Sequence, residues 1–243
     1  MLSPAIKSRL RKLPGFRIAS FLRRLTRDTE TRNAALMLLR PPAGLYQPWG
    51  ATSDNRYPEA FLSVRALAGD APTTRILSFG CSTGEEVFSL RKYFPQATLI
   101  GLDINPWNIL LCRYRKWRKG DARMHFAVAG STTTQPSASY DAVFAMAVFR
   151  HGELNITPPP PRCDHLIRFS SFEQSIADLA RILKPGGLLA MQNSMFRFED
   201  TATASQFEPA LSIDCSGPVP LYDRDNMLVP SPARETVVFR KRT

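Results

Sequence analysis

The sequence predicts an α/β chain built on one doubly wound, mostly parallel, seven-stranded sheet with a short helical extension ahead of it. Three observations carry that expectation. Beyond Pro72, short apolar runs of strand length alternate with longer segments of helical period. The first run, Arg75 to Phe79 (RILSF), leads straight into a turn of small residues, Gly80 to Gly84, and then into a helix. The second run ends on an acid, Asp103, about 20 residues beyond that turn.

Ahead of the sheet, residues 1 to about 40 set Ile18, Phe21, Leu22 and Leu25 among arginines at helical spacing. Pro14-Gly15 interrupts this pattern and Pro41-Pro42 stops it, which predicts two short amphipathic helices. Pro42 to Pro58 carries Pro, Gly, Asn and aromatic residues without a period and reads as a loop lying over something else. Residues 1–58 are therefore expected to form a basic extension and covering loop, and residues 59–243 the sheet domain.

The elements follow in order: a helix over Glu59–Ala68, a strand over Arg75–Phe79, a helix over Glu85–Tyr93, a strand over Thr98–Leu102 and a helix over Pro106–Lys119. Met124–Val128 and Ala142–Val148 are the third and fourth strands, separated by a loop rich in Ser and Thr. A helix over Phe172–Leu183 is expected to end at Lys184-Pro185-Gly186-Gly187, before a fifth strand over Leu188–Gln192. Strands alternating with helices at this spacing demand parallel pairing through right-handed crossovers. The four prolines Pro158 to Pro161 must leave the sheet, so residues 150–171 read as an insertion. Runs near Leu211 and over Thr236–Arg240 (TVVFR) supply an antiparallel hairpin at the sheet edge and complete the seven strands.

Composition narrows the function classes. A hydrophobic fraction of 44% with 22% charged residues is that of an ordinary globular protein. No apolar run reaches the roughly 20 residues of a membrane-spanning helix, and the N-terminus lacks the pattern of a secretory signal. Cys81, Cys112, Cys163 and Cys215 are widely spaced, which favours neither a zinc site nor a disulfide framework and fits a reducing cytoplasm. No metal is expected: Cys163-Asp164-His165 lie side by side and cannot easily converge on one ion. Of the net charge of +11, much sits in residues 1–40, where ten basic residues face two acids. That segment is either a peripheral contact for nucleic acid or anionic lipid, or a solvated face.

The turn Gly80-Cys81-Ser82-Thr83-Gly84 offers backbone amides and a helix N-terminus to a ligand lying across the carboxyl end of the first strand. It lacks the middle glycine of a dinucleotide fingerprint, which counts against a bulky pyrophosphate. Asp103 stands where this architecture places an acceptor for ribose hydroxyls; the alternative is a cap for the helix that starts at Pro106.

Gly80 to Gly84, Asp103, Tyr140-Asp141-Ala142-Val143-Phe144 and Leu183-Lys184-Pro185-Gly186-Gly187 together resemble the motifs of class I methyltransferases, in order and in register. The resemblance implies a Rossmann-like fold and S-adenosyl-L-methionine as cofactor. Gly80 to Glu86 with Phe88-Ser89-Leu90 looks closer still to the Cys-Ser-Thr-Gly-Glu-Glu signature of the chemotaxis-receptor glutamate methyltransferases (CheR type). Thr52 to Phe61 (TSDNRYPEAF) is similar to that family's Thr-x-x-x-Arg-x-Pro-x-x-Phe segment. By this resemblance Thr52 and Arg56 lie near the methionine end of the cofactor, Glu85 near its amino group and Asp103 on its ribose. Ile104 and Ala145 join Arg56, Gly80, Cys81, Ser82, Thr83, Gly84, Glu85 and Asp103 in the implied cofactor-binding set. The chemistry agrees, since a carboxylate calls for a guanidinium and an ammonium for a carboxylate. The likeness fails where the acceptor should sit: Met146-Ala147 and Gln192-Asn193-Ser194-Met195 replace that family's polar residues.

Methyl transfer from a sulfonium is an in-line displacement that needs alignment and exclusion of water more than covalent chemistry. An acceptor carrying a proton also needs a base, and His151, just after the fourth strand, is the candidate, with a packing role as the alternative. Thr52, Arg56 and His151 are thus the expected catalytic set. The leading acceptor is a small molecule or glycan intermediate, motivated by the apolar Met146-Ala147 pair; a protein carboxylate is the runner-up. An RNA acceptor is a third reading, because Arg113, Arg115, Lys116, Arg118 and Lys119 interleave with Tyr114 and Trp117, although they circle the helix instead of forming a stripe. A non-catalytic module that keeps the cofactor site is the alternative from outside enzymes.

Overall fold

The computed structural model describes residues 19, 23, 29–39, 41–42, 44–48, 50, 52–215 and 219–243. The chain divides into two units, Met1–Pro42 and Ala43–Thr243. In the first, helix α1 (Thr29–Leu39) ends two residues before Pro41-Pro42, as the sequence expects of the second helix. The expected first helix and the Ile18-to-Leu25 spacing lie outside the described residues.

The second unit opens its regular structure with α2 (Pro58–Ala68), which starts on a proline and stops at Gly69, whose φ of 72° suits a glycine. Then come β1 (Arg75–Phe79), α3 (Glu85–Tyr93), β2 (Thr98–Asp103), α4 (Pro106–Lys119), β3 (Met124–Val128) and β4 (Tyr140–Met146). After the insertion follow α5 (Phe169–Ile182), β5 (Leu183–Gln192), β6 (Phe207–Asp214), the short pair β7 (Leu221–Tyr222) and β8 (Leu228–Val229), and β9 (Arg234–Lys241).

The main sheet has seven strands in the order β3-β2-β1-β4-β5-β9-β6, with β1 to β5 parallel and β9 antiparallel to both its neighbours. The order reverses direction at β1, so the carboxyl ends of β1 and β4 open the crevice where doubly wound sheets bind ligands. This is the Rossmann-like fold the motifs imply. Alternation along the strands feeds two cores. Leu77, Val143, Ala145, Leu189 and Phe239 pack with Phe172, Ile176 and Leu179 of α5. Ile76, Phe144, Leu99 and Val238 pack on the other face with Phe61 and Val64 of α2, Val87 and Leu90 of α3, and Ile109 and Cys112 of α4.

Three boundaries differ from expectation for physical reasons. Lys184 to Gly187 do not separate helix from strand; β5 begins at Leu183, directly after the helix. Its pairing with β4 jumps from Tyr140–Leu183 to Ala142–Leu188, so these four residues bulge out of the ladder with Gly186 at φ 75°. α5 starts at Phe169, not Phe172, because Asn226 Oδ1, far along the chain, accepts the Phe169 amide at 2.7 Å. β4 stops at Met146, where Ala147 takes φ 56°. The insertion does leave the sheet, and it is tied to the β7–β8 loop by hydrogen bonds from Leu228 N to Pro161 O, from Tyr222 Oη to Pro160 O and from Cys163 N to Asn226 O.

Candidate active site

The glycine turn is shaped by three left-handed residues, Gly80 (φ 73°), Ser82 (φ 50°) and Gly84 (φ 94°). The Gly80 and Cys81 amides both bond to the Leu102 carbonyl, at 2.8 and 2.9 Å, which folds the turn back over the end of β2. A Cβ on Gly80 would lie 2.6 Å from Val148 Cγ2, so only glycine fits there. Ser82, which lacks that freedom, is held by its amide hydrogen bond to Asp103 Oδ2 at 2.7 Å.

Asp103 is buried at the carboxyl end of β2, and its other oxygen accepts the Asn105 amide at 2.8 Å and Asn108 Nδ2 at 3.1 Å. Burial raises its pKa against those hydrogen bonds. It is not the helix cap: Asn105 accepts the Trp107 amide at 3.0 Å and does that work. Ile104 follows it, half-buried.

Beside the turn lies a cleft lined by Gln47, Gly50, Thr52, Ser53, Arg56 and Tyr57, together with Phe61, Gly80, Cys81, Ser82, Glu86, Met146 and Ala147. The Thr52-to-Arg56 segment reaches it because α3 pins the loop: the Asn55 amide bonds to Ser89 Oγ (2.8 Å), Ser89 Oγ to Asp54 (2.7 Å) and Lys92 to Asp54 (2.6 Å). The loop is also tied to the residues that follow β4 and β5: Asn193 Nδ2 donates to the Tyr57 hydroxyl at 3.1 Å, and Gln47 Nε2 donates to the Ala147 carbonyl at 3.3 Å.

The two motif acids part company. Glu85 turns out of the cleft, accepting from Thr83 Oγ1 and from Arg115 Nη1, which also bonds the Thr83 carbonyl. Burial pushes its carboxyl up, but the Thr83 hydroxyl, its own amide and Arg115 together hold it below the usual carboxylate range. Glu86 instead faces the cleft and accepts from Ser78 Oγ at 2.7 Å. Burial raises its pKa to about 7, against the Ser78 hydrogen bond and the charge of Arg56.

Sequence reasoning singled out Glu85 and passed over Glu86, although one signal was available: Ser78 is a polar residue inside the apolar strand RILSF and demands a partner. Ala145, expected in the cleft, is fully buried on the α5 face; the strand's alternation presents Met146 instead, followed by Ala147. His151 is 8% exposed and stands outside the lining of the cleft. Its Nδ1 accepts the Glu153 amide at 3.3 Å, and burial lowers its pKa.

A family model described as "Methyltransferase domain" matches residues 77–191, the stretch from β1 to the end of β5 that holds the turn, Glu86 and Asp103. Residues 77–191 are a class I methyltransferase domain. The cofactor of such a domain is S-adenosylmethionine. The chain is similar to the trans-aconitate 2-methyltransferase of Deinococcus radiodurans, 28% identical over 159 residues that span 61% of this chain and 50% of the relative. It is also similar to the fatty-acid O-methyltransferase of Mycolicibacterium smegmatis, 27% identical over 166 residues spanning 65% of this chain and 51% of the relative. The chain thus spans about half the length of the curated relatives it matches. Among solved structures, a phosphoethanolamine N-methyltransferase of Haemonchus contortus aligns over 70% of this chain and 34% of its own, at 19% identity and a TM-score of 0.44.

Proposed function

We propose that this chain transfers a methyl group from S-adenosylmethionine to a small-molecule acceptor held at the carboxyl ends of β4 and β5. The single observation that carries the reading is the opposed pair in the cleft, Glu86 on α3 and Arg56 on the covering loop, beside the glycine turn. The methionine end of the cofactor is a zwitterion, so a carboxylate and a guanidinium facing one cleft match its ammonium and carboxylate. Asp103 takes a ribose hydroxyl through Oδ2, which accepts only the Ser82 amide and keeps a lone-pair site, whereas Oδ1 already accepts from Asn105 and Asn108.

When bound, the cofactor supplies a methyl group on a sulfonium, the S–C bond breaking as the acceptor's lone pair forms the new bond. The chain's part is to orient and to exclude water. Thr52, Arg56 and Tyr57 cover the cleft, and Met146 gives it an apolar wall. His151 is the proposed base for an acceptor that carries a proton. Relatives named for trans-aconitate, a fatty acid and demethylmenaquinone favour a small acceptor. Cys81, Cys112, Cys163 and Cys215 are free thiols, in keeping with a cytoplasmic setting.

A second reading, methylation of a protein carboxylate, is favoured by one observation: the Thr52-to-Phe61 segment that resembles the chemotaxis-receptor enzymes lines this same cleft at Thr52, Arg56, Tyr57 and Phe61. Transfer of labelled methyl from S-adenosylmethionine into host extract, separated into protein, nucleic-acid and small-molecule fractions, decides between them. Label in the small-molecule fraction, abolished by Asp103→Ala, is the expected result. Label in protein selects the second reading, and no label despite tight S-adenosylhomocysteine binding selects a non-catalytic module.

A further inference from the structure

Helix α4 buries one side and leaves an unusual one in solvent. Ile109 and Cys112 face the core. Trp107, Leu110, Leu111, Tyr114 and Trp117, at positions i, i+3, i+4, i+7 and i+10, form a single stripe on the opposite side, each between 42% and 76% exposed. Exposed apolar residues are ordinary when scattered; a contiguous aromatic and aliphatic stripe along the outward face of a helix marks a docking surface.

Charge selects what docks there. α4 contains no acid, and it carries Arg113, Arg115, Lys116, Arg118 and Lys119. Arg113 reaches inward to the Phe126 carbonyl, at 3.1 and 3.0 Å, and Arg115 is paired with Glu85. Arg118 stays exposed at the end of the stripe, Lys119 is exposed beside it with its ammonium 5.8 Å from the centre of the Phe88 ring, and the next acid along the chain, Asp121, is paired with Arg91 at 2.7 Å. A second copy packed stripe to stripe would double the cations at a contact to which α4 brings no acid. Leu110 and Leu111, in the middle of the stripe, cannot stack on bases, which disfavours a nucleic acid. An anionic bilayer surface satisfies both features, with headgroups against the cations and the acyl boundary against Leu, Trp and Tyr.

We propose that α4 is an interfacial helix that seats the chain on an anionic membrane surface, whatever its methyl acceptor. The test is cosedimentation of the full chain with phosphatidylcholine vesicles, with and without phosphatidylglycerol. The expected result is salt-sensitive binding to the phosphatidylglycerol vesicles that falls at least ~10-fold in Leu110→Gln/Trp117→Gln and several-fold in Arg118→Gln/Lys119→Gln. Both variants change exposed side chains and should keep the parent's melting temperature. Absence of binding overturns the proposal, as does binding that survives both variants, which would assign it to the basic residues 1–40. Poly(U) binding, or a concentration-dependent dimer, that is lost in the stripe variant while vesicles go unbound replaces the membrane with RNA or a second copy.

Discussion

Ser78 Oγ donates a 2.7 Å hydrogen bond to the Glu86 carboxyl, joining the interior of β1 to the first turn of α3 at the floor of the cleft. This contact fixes where the acid points and leaves its protonation open near neutrality, because burial lifts its pKa from 4.5 to about 7. A folded-state pKa above the unfolded one means that the folded chain holds the proton more tightly. The resulting stabilisation is complete below pH 4.5 and is lost as pH rises through about 7. Glu86→Gln should therefore raise the melting temperature of the unliganded chain at pH 8 and leave it nearly unchanged at pH 4.5.

The same titration should control cofactor binding with the opposite sign. An ammonium pairs with the ionised carboxylate, so affinity for S-adenosylhomocysteine should improve as pH rises through about 7. Glu86→Gln should flatten that dependence and weaken binding by roughly 10- to 100-fold at pH 8, the value of a charge-assisted hydrogen bond. Glu85→Gln is the comparison: it removes a partly exposed pair with Arg115, and should change affinity by less than about 3-fold. Calorimetric titration of both variants across pH measures this; equal losses in the two would remove Glu86 from its proposed role.

Asp103 has a structural duty that can be separated from its ligand duty. It accepts the amide of Ser82, a non-glycine residue at φ 50°, and the amide of Asn105. Asp103→Ala orphans both donors and should cost about 1–3 kcal/mol of stability as well as cofactor affinity. Asp103→Asn keeps one acceptor oxygen and should recover part of the stability while remaining weak for the ribose hydroxyls. Thermal melts with and without S-adenosylhomocysteine separate the two effects.

The fold was legible because its signals are local. Strand-length runs, the Gly80-to-Gly84 turn, Asn105-Pro106 at the start of α4 and Gly120 at its end all act within a few residues of themselves. The failures share a cause in tertiary contact. Nothing near Phe169 announces that Asn226 will cap α5. The Lys184-to-Gly187 bulge reads as a loop in sequence and becomes part of a strand only because Leu183 and Leu188, on either side of it, pair with β4. In the site, the motif announced two adjacent acids, but which one faces the cleft depends on the left-handed Gly84 that sets the phase of α3 and on Arg115, thirty residues later, drawing Glu85 away. Likewise the basic and aromatic residues of α4 look interleaved as text and separate into faces only once Arg113 and Arg115 are seen turned inward.

Gly80 should be the least replaceable residue of the turn. Its φ of 73° disfavours a side chain, and an added Cβ would sit 2.6 Å from Val148 Cγ2. Gly80→Ala is expected to cost about 1–3 kcal/mol. Val148→Ala in the same chain relieves the steric part and leaves the conformational part, so the double variant should melt above the single one. A double variant no better than Gly80→Ala would show that backbone conformation alone sets the cost.

His151 makes the last prediction, because its surroundings suit a base that is neutral at working pH. Burial lowers its pKa, opposed by Glu153, so the imidazole is uncharged at pH 7. The Glu153 amide donates to Nδ1, which puts the neutral ring's proton on Nε2; service as a base therefore requires that 3.3 Å bond to open and Nδ1 to take the acceptor's proton. For an acceptor that loses a proton, His151→Gln should cut kcat by about 10²–10⁴-fold with cofactor affinity unchanged. The parent's rate should fall in acid through a histidine pKa below 6.5, and the variant should lack that limb. For an ionised carboxylate acceptor no proton leaves, and kcat should survive the substitution. A variant that loses stability but neither kcat nor the acid limb would make His151 a cap for residues 152–154 and send the search for a base to the residues that line the cleft.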